Sequence, residues 1–150
     1  MNQKKKTVKL AAVSPKIRLG DVDFNLKASI TEAKRAAEAG ARVLVFPRLT
    51  LTGATCRDMF CHPILPERAE RALAEYISAT SECDMISFIG LPVLLGGVYN
   101  CTAVVYRGSL IALIPNELQS ERSRASSPSR PKRRKRSTLR ALRSHSRRRT

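Results

Sequence analysis

Four cysteines are the side chains of this chain best suited to nucleophilic or metal chemistry: Cys56, Cys61, Cys83 and Cys101. A thiolate attacks carbonyl carbons and binds soft metal ions. His62 follows Cys61, so a metal held by Cys56, Cys61 and His62 is conceivable. However, a fourth ligand is not apparent, the spacing fits no zinc signature, and no Cys-x-x-Cys pair occurs. We therefore predict reduced thiols in or beside buried segments, as is usual in a cytosolic protein, and no metal site.

The positive charge of the chain is concentrated at its carboxyl end. The 150 residues carry a formal net charge of +16, yet residues 1–115 hold 15 basic and 10 acidic residues, whereas residues 116–150 hold 13 and 2. The clusters Lys132–Arg136 and Arg147–Arg149 are typical of segments that bind phosphate backbones. Because no aromatic residue is interleaved for base stacking, nucleic-acid binding through residues 132–149 would be nonspecific and salt-sensitive.

The elements that must position the thiols lie in residues 7–115. Thr7–Val13 is predicted to form a strand, and Asp21 or Asp23 then caps a helix whose apolar residues recur at helical spacing (Leu26, Ile30, Ala33 and Ala37). Gly40 ends this helix, and Val43–Phe46 is a continuous apolar run typical of a strand buried on both faces. This order predicts parallel strands joined by a right-handed crossover.

A long polar loop, Pro47–Pro66, follows and is a candidate functional loop. Pro66 suits the first turn of a second helix, with an apolar stripe (Ala69, Ala72, Leu73, Tyr76 and Ile77) and outward-facing charges (Glu67, Glu70, Arg71 and Glu75). Strands are predicted over residues 85–91, 98–106 and 109–114, with turns at Gly96-Gly97 and Arg107-Gly108. The pattern predicts an α/β fold with a mixed sheet. Because no targeting or membrane-spanning segment is evident, we expect a cytoplasmic protein.

Several short segments occur in an order that resembles the nitrilase (carbon–nitrogen hydrolase) superfamily. They are Val8–Ile17, Asn25, Leu44–Pro47, Leu51–Phe60, Ile89–Pro92 and Tyr99–Val104. The Leu-Thr-Gly-x-Thr-Cys-x-Asp and Tyr-Asn-Cys-Thr-Ala blocks favour the amino-terminal glutaminase domains of glutamine-dependent NAD synthetases over other members. The resemblance covers residues 7–115, and another amidase of the superfamily stays the alternative parent.

This resemblance implies the first half of an α-β-β-α sandwich and a Glu-Lys-Cys catalytic triad. In the family the cysteine attacks the amide of glutamine, the glutamate transfers protons and the lysine stabilises the oxyanion. The ammonia then serves to amidate deamido-NAD in a synthetase domain, to which ATP and Mg²⁺ would belong. That domain is absent here, so we expect no cofactor. The intact family is expected to form homo-oligomers.

Two catalytic positions of the family map onto this chain, and each holds a residue that cannot perform the family's catalytic role. The glutamate that follows Phe-Pro corresponds to Arg48, and the lysine that follows Ile-Pro corresponds to Asn116. The nucleophilic cysteine lies beyond the matched region, and a tyrosine of the loop is replaced by Ala54. We therefore predict that no catalytic residue is intact and that the chain does not hydrolyse glutamine.

Two hypotheses account for the tail, residues 116–150. It is either a disordered basic arm that binds polyanions, or the product of a shifted reading frame, since the likeness stops abruptly at Pro115. Two functional hypotheses correspond to these alternatives: a truncated glutaminase domain, or a polyanion-binding protein with a nitrilase-like scaffold. In either case half of a sandwich is expected to expose a broad apolar sheet face, which invites aggregation or partner capture.

Overall fold

The computed structural model describes residues 7–94 and 97–116, which form one five-stranded sheet with two helices. In chain order the elements are β1 (Leu10–Ala12), α1 (Val22–Glu38), β2 (Val43–Val45), a 3-10 helix (Arg57–Cys61), α2 (Ile64–Ala79), β3 (Ile86–Leu94), β4 (Val98–Tyr106) and β5 (Ser109–Asn116). The residues of the basic tail after Asn116 lie outside the described residues, as do the basic clusters predicted to bind polyanions.

The sheet has the strand order β1-β2-β3-β4-β5. β1, β2 and β3 pair in parallel, and β3, β4 and β5 pair as antiparallel neighbours. The tight turn between β4 and β5 has positive φ angles at Arg107 and Gly108 (43° and 69°), which suits a two-residue hairpin. The predicted α/β fold with a mixed sheet is therefore confirmed.

Both helices pack on one face of the sheet. The Asp21 side chain accepts a hydrogen bond from the Phe24 amide and so caps α1, and Gly40 closes the helix with a φ of 78°. The buried side of α1 differs from the predicted stripe, because Ile30 and Ala37 are only partly buried. The other buried positions of α1 are taken by Val22, Asn25, Ser29 and Ala36.

The second helix buries every residue of its predicted stripe. Tyr76 is 0% exposed, and its ring meets that of Phe46 edge to face at 6.1 Å between centroids. Glu70 was predicted to face outward, but it is half-buried and accepts a hydrogen bond from the Leu94 amide (3.2 Å). This carboxylate therefore joins α2 to the end of β3.

Element boundaries differ from the sequence predictions at several places. β1 is shorter than the predicted strand, β3 continues to Leu94 and β5 continues to Asn116. The loop after β2 contains a 3-10 helix that was not predicted, and α2 begins at Ile64, so Pro66 does lie in its first turn. Gly96, part of a predicted turn, lies outside the described residues. Neither helix among residues 7–94 and 97–116 is long and apolar enough to cross a membrane.

Candidate functional site

The two mapped triad positions lie at the same edge of the sheet. β1, β2 and β3 are parallel, and β5 has the same direction because it is antiparallel to β4, which is antiparallel to β3. Arg48 follows β2, and Asn116 ends β5. Both therefore lie at the edge formed by the carboxyl ends of these strands, where open α/β sheets bind ligands.

The turn that carries Arg48 is held close against the sheet. Leu49 is 1% exposed with a φ of 54°, and the Thr50 hydroxyl donates a hydrogen bond to the carbonyl of Pro47. A methyl group added at Gly90 would lie 2.4 Å from the Leu49 nitrogen and 2.8 Å from the Pro47 oxygen. The turn therefore needs glycine beneath it and is fixed by backbone packing, whereas the Arg48 side chain is exposed.

Asn25 ties together the two loops beside this turn. Its side chain is 0% exposed, accepts a hydrogen bond from the Arg18 amide (2.7 Å), and donates to the carbonyls of Arg18 (2.8 Å) and Leu51 (3.2 Å). The Leu51 amide in turn donates to the Gly90 carbonyl (3.2 Å). The buried amide of α1 thus positions the loop that follows Arg48. Its place in the matched segments marked Asn25 as important, but its partners could not be read from the sequence.

Asn116 is the last residue of β5 and lies in a row of paired residues that runs across β5, β4 and β3. It pairs with Asn100 of β4, which pairs with Pro92 of β3. Asn100 is 2% exposed, and its Oδ1 atom accepts no hydrogen bond within the described part of the chain. This row lies two residues beyond the row of Gly90, Thr102 and Ile114, on the same face of the sheet. Asn116 therefore lies two strands away from β3, whose Gly90 contacts the Arg48 turn, and its amide offers no positive charge.

Burial disfavours the thiolate form of the three described cysteines, of which Cys56 and Cys101 are buried and Cys83 is partly exposed. Burial raises the pKa of Cys101 to about 12, and it also raises the pKa of Cys56 and of Cys83. The Sγ atom of Cys56 donates a hydrogen bond to the carbonyl of Thr52 (3.1 Å). Because the thiolate is the nucleophile, none of these three groups is activated at neutral pH. The side chain of Cys61 lies outside the described residues.

A metal centre finds no support in the described part of the chain. Within it, no group of three or more His, Cys, Asp or Glu side chains is arranged to hold a metal ion. Cys56 is fully buried, whereas His62 is exposed. The two mapped triad positions therefore supply one guanidinium group and one amide. Such a set donates hydrogen bonds, but it does not remove a proton near neutral pH.

Comparison with known proteins agrees with this architecture. No family model matches the chain. The glutamine-dependent NAD(+) synthetase of Mycobacterium tuberculosis is 27% identical over 109 residues, which are 72% of this chain and 16% of that protein. The corresponding enzyme of Aquifex aeolicus is 30% identical over 95 residues, or 63% of this chain and 17% of that protein.

Solved structures share the fold. The glutamine-dependent NAD(+) synthetase of Cytophaga hutchinsonii superposes with a TM-score of 0.70 at 24% identity, over 77% of this chain and 20% of that one. An amidase from Nesterenkonia gives 0.64 at 19% identity, over 82% of this chain and 48% of that one. This chain thus spans about a sixth of the length of the synthetases it matches. The predicted resemblance is confirmed for the region it covers.

Proposed function

We propose that this chain, a relative of the glutamine-dependent NAD(+) synthetases with part of the nitrilase-type fold, is a fragment of a glutaminase domain that has lost catalysis. The observation that supports the proposal is the charge reversal at Arg48, on a turn that the backbone holds in place. The ancestral substrate would be glutamine, whose side-chain amide a complete enzyme of this type cleaves to ammonia and glutamate. The alternative parent, another amidase of the superfamily, would take a different amide.

Arg48 removes the proton acceptor that amide hydrolysis needs. A guanidinium group stays protonated at every pH at which an enzyme works, since its pKa is above about 12. General-base catalysis typically contributes about 10²–10⁴ in rate, so the loss of the base alone is severe. Arginine also places a positive charge where the thiol proton would have to arrive.

Asn116, in place of the family lysine, weakens stabilisation of the oxyanion. An amide NH₂ group can donate a hydrogen bond to a developing oxyanion but brings no charge, whereas the family lysine brings both. Removal of one oxyanion donor typically lowers the rate by about 10²–10³. If the two losses act independently, the rate falls by roughly 10⁴–10⁷.

Release of ammonia from glutamine by the purified full chain tests this proposal. The positive control is a full-length glutamine-dependent NAD(+) synthetase assayed in parallel, and the negative control is buffer with glutamine. We expect ammonia at the rate of the buffer control. Ammonia release above that rate, proportional to the protein concentration, would contradict the proposal.

Two substitutions separate loss of the base from loss of the nucleophile. Arg48→Glu restores the carboxylate, and Arg48→Glu with Asn116→Lys restores both charged positions. We expect both variants to stay inactive, because the raised pKa values of the three described thiols keep them protonated. Activity in the double variant would show that a cysteine of this chain is a working nucleophile.

We also propose that the protein resides in the cytoplasm. Cys56, Cys83 and Cys101 are all unpaired, and reduced thiols are typical of that compartment. Fractionation of cells that express the native chain tests this, with thiol labelling before and after reduction. Recovery from a secreted fraction with its cysteines oxidised would contradict it.

A further inference from the structure

One face of the sheet carries four polar side chains at its carboxyl edge. A methyl group at Gly90 of β3 would contact the turn that holds Arg48, so this turn covers the face beside Gly90. Thr102 of β4 pairs with Gly90 and therefore lies on the same face. Asn100, two residues earlier on β4, and its partner Asn116 on β5 share this face as well. We call Arg48, Asn100, Thr102 and Asn116 the polar edge cluster.

Strand geometry brings the polar edge cluster within reach of one small molecule. Paired strands lie about 4.8 Å apart, and each residue advances about 3.3 Å along its strand. The Cα atom of Asn100 is therefore roughly 8 Å from that of Gly90, on which the Arg48 turn lies. A molecule with about the length of two residues spans this distance.

Arg48 is the charged member of the polar edge cluster. It is exposed, and it takes part in no ion pair among residues 7–94 and 97–116. Five other arginines of the same region do form ion pairs with acidic side chains: Arg18, Arg35, Arg42, Arg68 and Arg107. A guanidinium group offers two parallel N–H donors that match the two oxygens of a carboxylate. A single cation of this kind therefore suits a carboxylate, which carries one negative charge.

Asn100 adds a second requirement, because its buried oxygen needs a hydrogen-bond donor. The residue is 2% exposed, and its Oδ1 atom accepts no hydrogen bond from the described part of the chain. A buried acceptor without a donor costs free energy, and nearly all such groups in proteins are paired. A carboxylate brings only acceptors, so a ligand that satisfies Asn100 also carries an N–H or O–H group. The Thr102 hydroxyl and the Asn116 amide can donate as well as accept.

We propose that the polar edge cluster binds a small carboxylate that also carries a neutral N–H donor, such as a primary amide. The carboxylate pairs with the guanidinium group of Arg48, and the amide NH₂ group donates to Oδ1 of Asn100. A neutral donor fits better than an ammonium group, which the nearby cation would repel. The inference rests on the proposed function, because it takes Arg48 as the group that stands in place of a proton acceptor. It goes further in assigning a ligand class to the site.

A titration of the isotopically labelled full chain with succinamate, followed by nuclear magnetic resonance, tests the proposal. We expect saturable shifts at the backbone amides of Gly90 and Thr102, with a dissociation constant of about 1 mM for so small a ligand. Succinamide lacks the carboxylate and butanoate lacks the donor, so each should bind at least about tenfold more weakly. Shifts that do not saturate by about 20 mM succinamate, or equal binding of succinamide, would overturn the proposal.

Two substitutions at the polar edge cluster assign the roles. Arg48→Met should weaken succinamate binding at least about tenfold, because it removes the charged donor. The matched control is Arg71→Met, which removes the same charge from an exposed position of α2 and should bind succinamate like the wild-type chain. Equal binding by the Arg48→Met and Arg71→Met variants would overturn the assignment of the carboxylate to Arg48.

Asn100→Leu removes the buried acceptor. The variant should bind succinamate only as weakly as it binds butanoate, and its affinity for butanoate should match that of the wild-type chain. If it fails to fold, as judged by circular dichroism, the comparison of succinamate with butanoate on the unaltered chain decides whether a donor is needed. Butanoate that binds the wild-type chain as tightly as succinamate would overturn that part of the proposal.

Binding and catalysis are measured separately in these experiments. Ammonia release from glutamine would refute the loss of catalysis whatever the chain binds. Absence of succinamate binding, with no ammonia released, would overturn only the ligand assignment. Inorganic phosphate that binds the wild-type chain more tightly than succinamate would overturn the choice of a carboxylate.

Discussion

Substitution of Asn25 by alanine should be among the most destabilising single changes at the carboxyl edge. The side chain makes three hydrogen bonds and is 0% exposed, and one of its partners, the Leu51 carbonyl, lies 26 residues away. Alanine removes all three bonds and leaves the Leu51 carbonyl and both backbone groups of Arg18 without these partners. The loop that follows Arg48 would lose its connection to α1.

The magnitude follows from these contacts. A net contribution of about 1 kcal/mol for each hydrogen bond gives a loss of about 3 kcal/mol in the free energy of unfolding. Small domains have about 5–15 kcal/mol in total, so this is a large fraction. For a domain of about a hundred residues, the melting temperature should fall by roughly 12 °C.

Urea unfolding followed by circular dichroism measures this difference, at one fixed protein concentration. The matched control is Ser29→Ala, also 0% exposed on α1, whose hydroxyl donates only to the carbonyl of Asn25 in the preceding turn (2.8 Å). We expect that control to lose less than about 1 kcal/mol. If Asn25→Ala loses no more than the control, Asn25 does not hold the loops together as described.

Three further predictions concern the turn, the buried acids and the tail. Gly90→Ala should lower the free energy of unfolding by about 1–3 kcal/mol, because its methyl group would overlap the turn at Leu49, whereas Gly97→Ala, with 3.8 Å of clearance, should change it little in the same urea experiment. The free energy of unfolding should fall between about pH 9 and pH 12, because burial raises the pKa of Cys101 and of Tyr76 to about 12 and the unfolded chain therefore loses these protons first. Urea unfolding curves measured over this pH range should show a shallower fall for Cys101→Ala. A fall as steep as that of the wild-type chain would refute the assignment to Cys101. Binding to DNA in a filter assay should weaken steeply as the salt concentration rises, and it should vanish when residues 117–150 are removed. The reason is that residues 7–115 are nearly neutral, with 12 basic and 10 acidic residues. Binding that persists in the shortened chain would place the DNA contacts elsewhere.

Periodicity and turn chemistry were enough to predict the order of the elements. The apolar run of β2, the stripe of α2 and the Arg107-Gly108 turn are local signals, and the structure has each of these elements. The prediction that β2 is buried on both faces was wrong, because Val45 is 38% exposed. The 3-10 helix at Arg57–Cys61 is too short for any period to emerge, and it was missed for that reason. The ends of β3 and β5 depend on pairing with β4, which no local pattern reveals.

The candidate site could be predicted from the sequence less completely than the fold. The proposed replacements at Arg48 and Asn116 rest on motif resemblance, whereas the contacts that fix the Arg48 turn join residues far apart in the sequence. Gly90 lies about forty residues after the turn it supports, and a single sequence does not distinguish this glycine from any other strand glycine. Asn100 is buried with an unpaired oxygen among the described residues, a property that only the packed structure displays.

Reaction with an electrophilic analogue of glutamine tests most directly whether this chain retains a catalytic nucleophile. A diazoketone analogue alkylates the cysteine of a working glutaminase, and intact-mass spectrometry of the full chain counts the adducts. We expect no adduct that excess glutamine suppresses, because the raised pKa values keep the three described thiols protonated and the family resemblance places Arg48 at the position of the base. One stoichiometric adduct that glutamine prevents from forming would show a functional active site and contradict the proposal that this chain has lost catalysis.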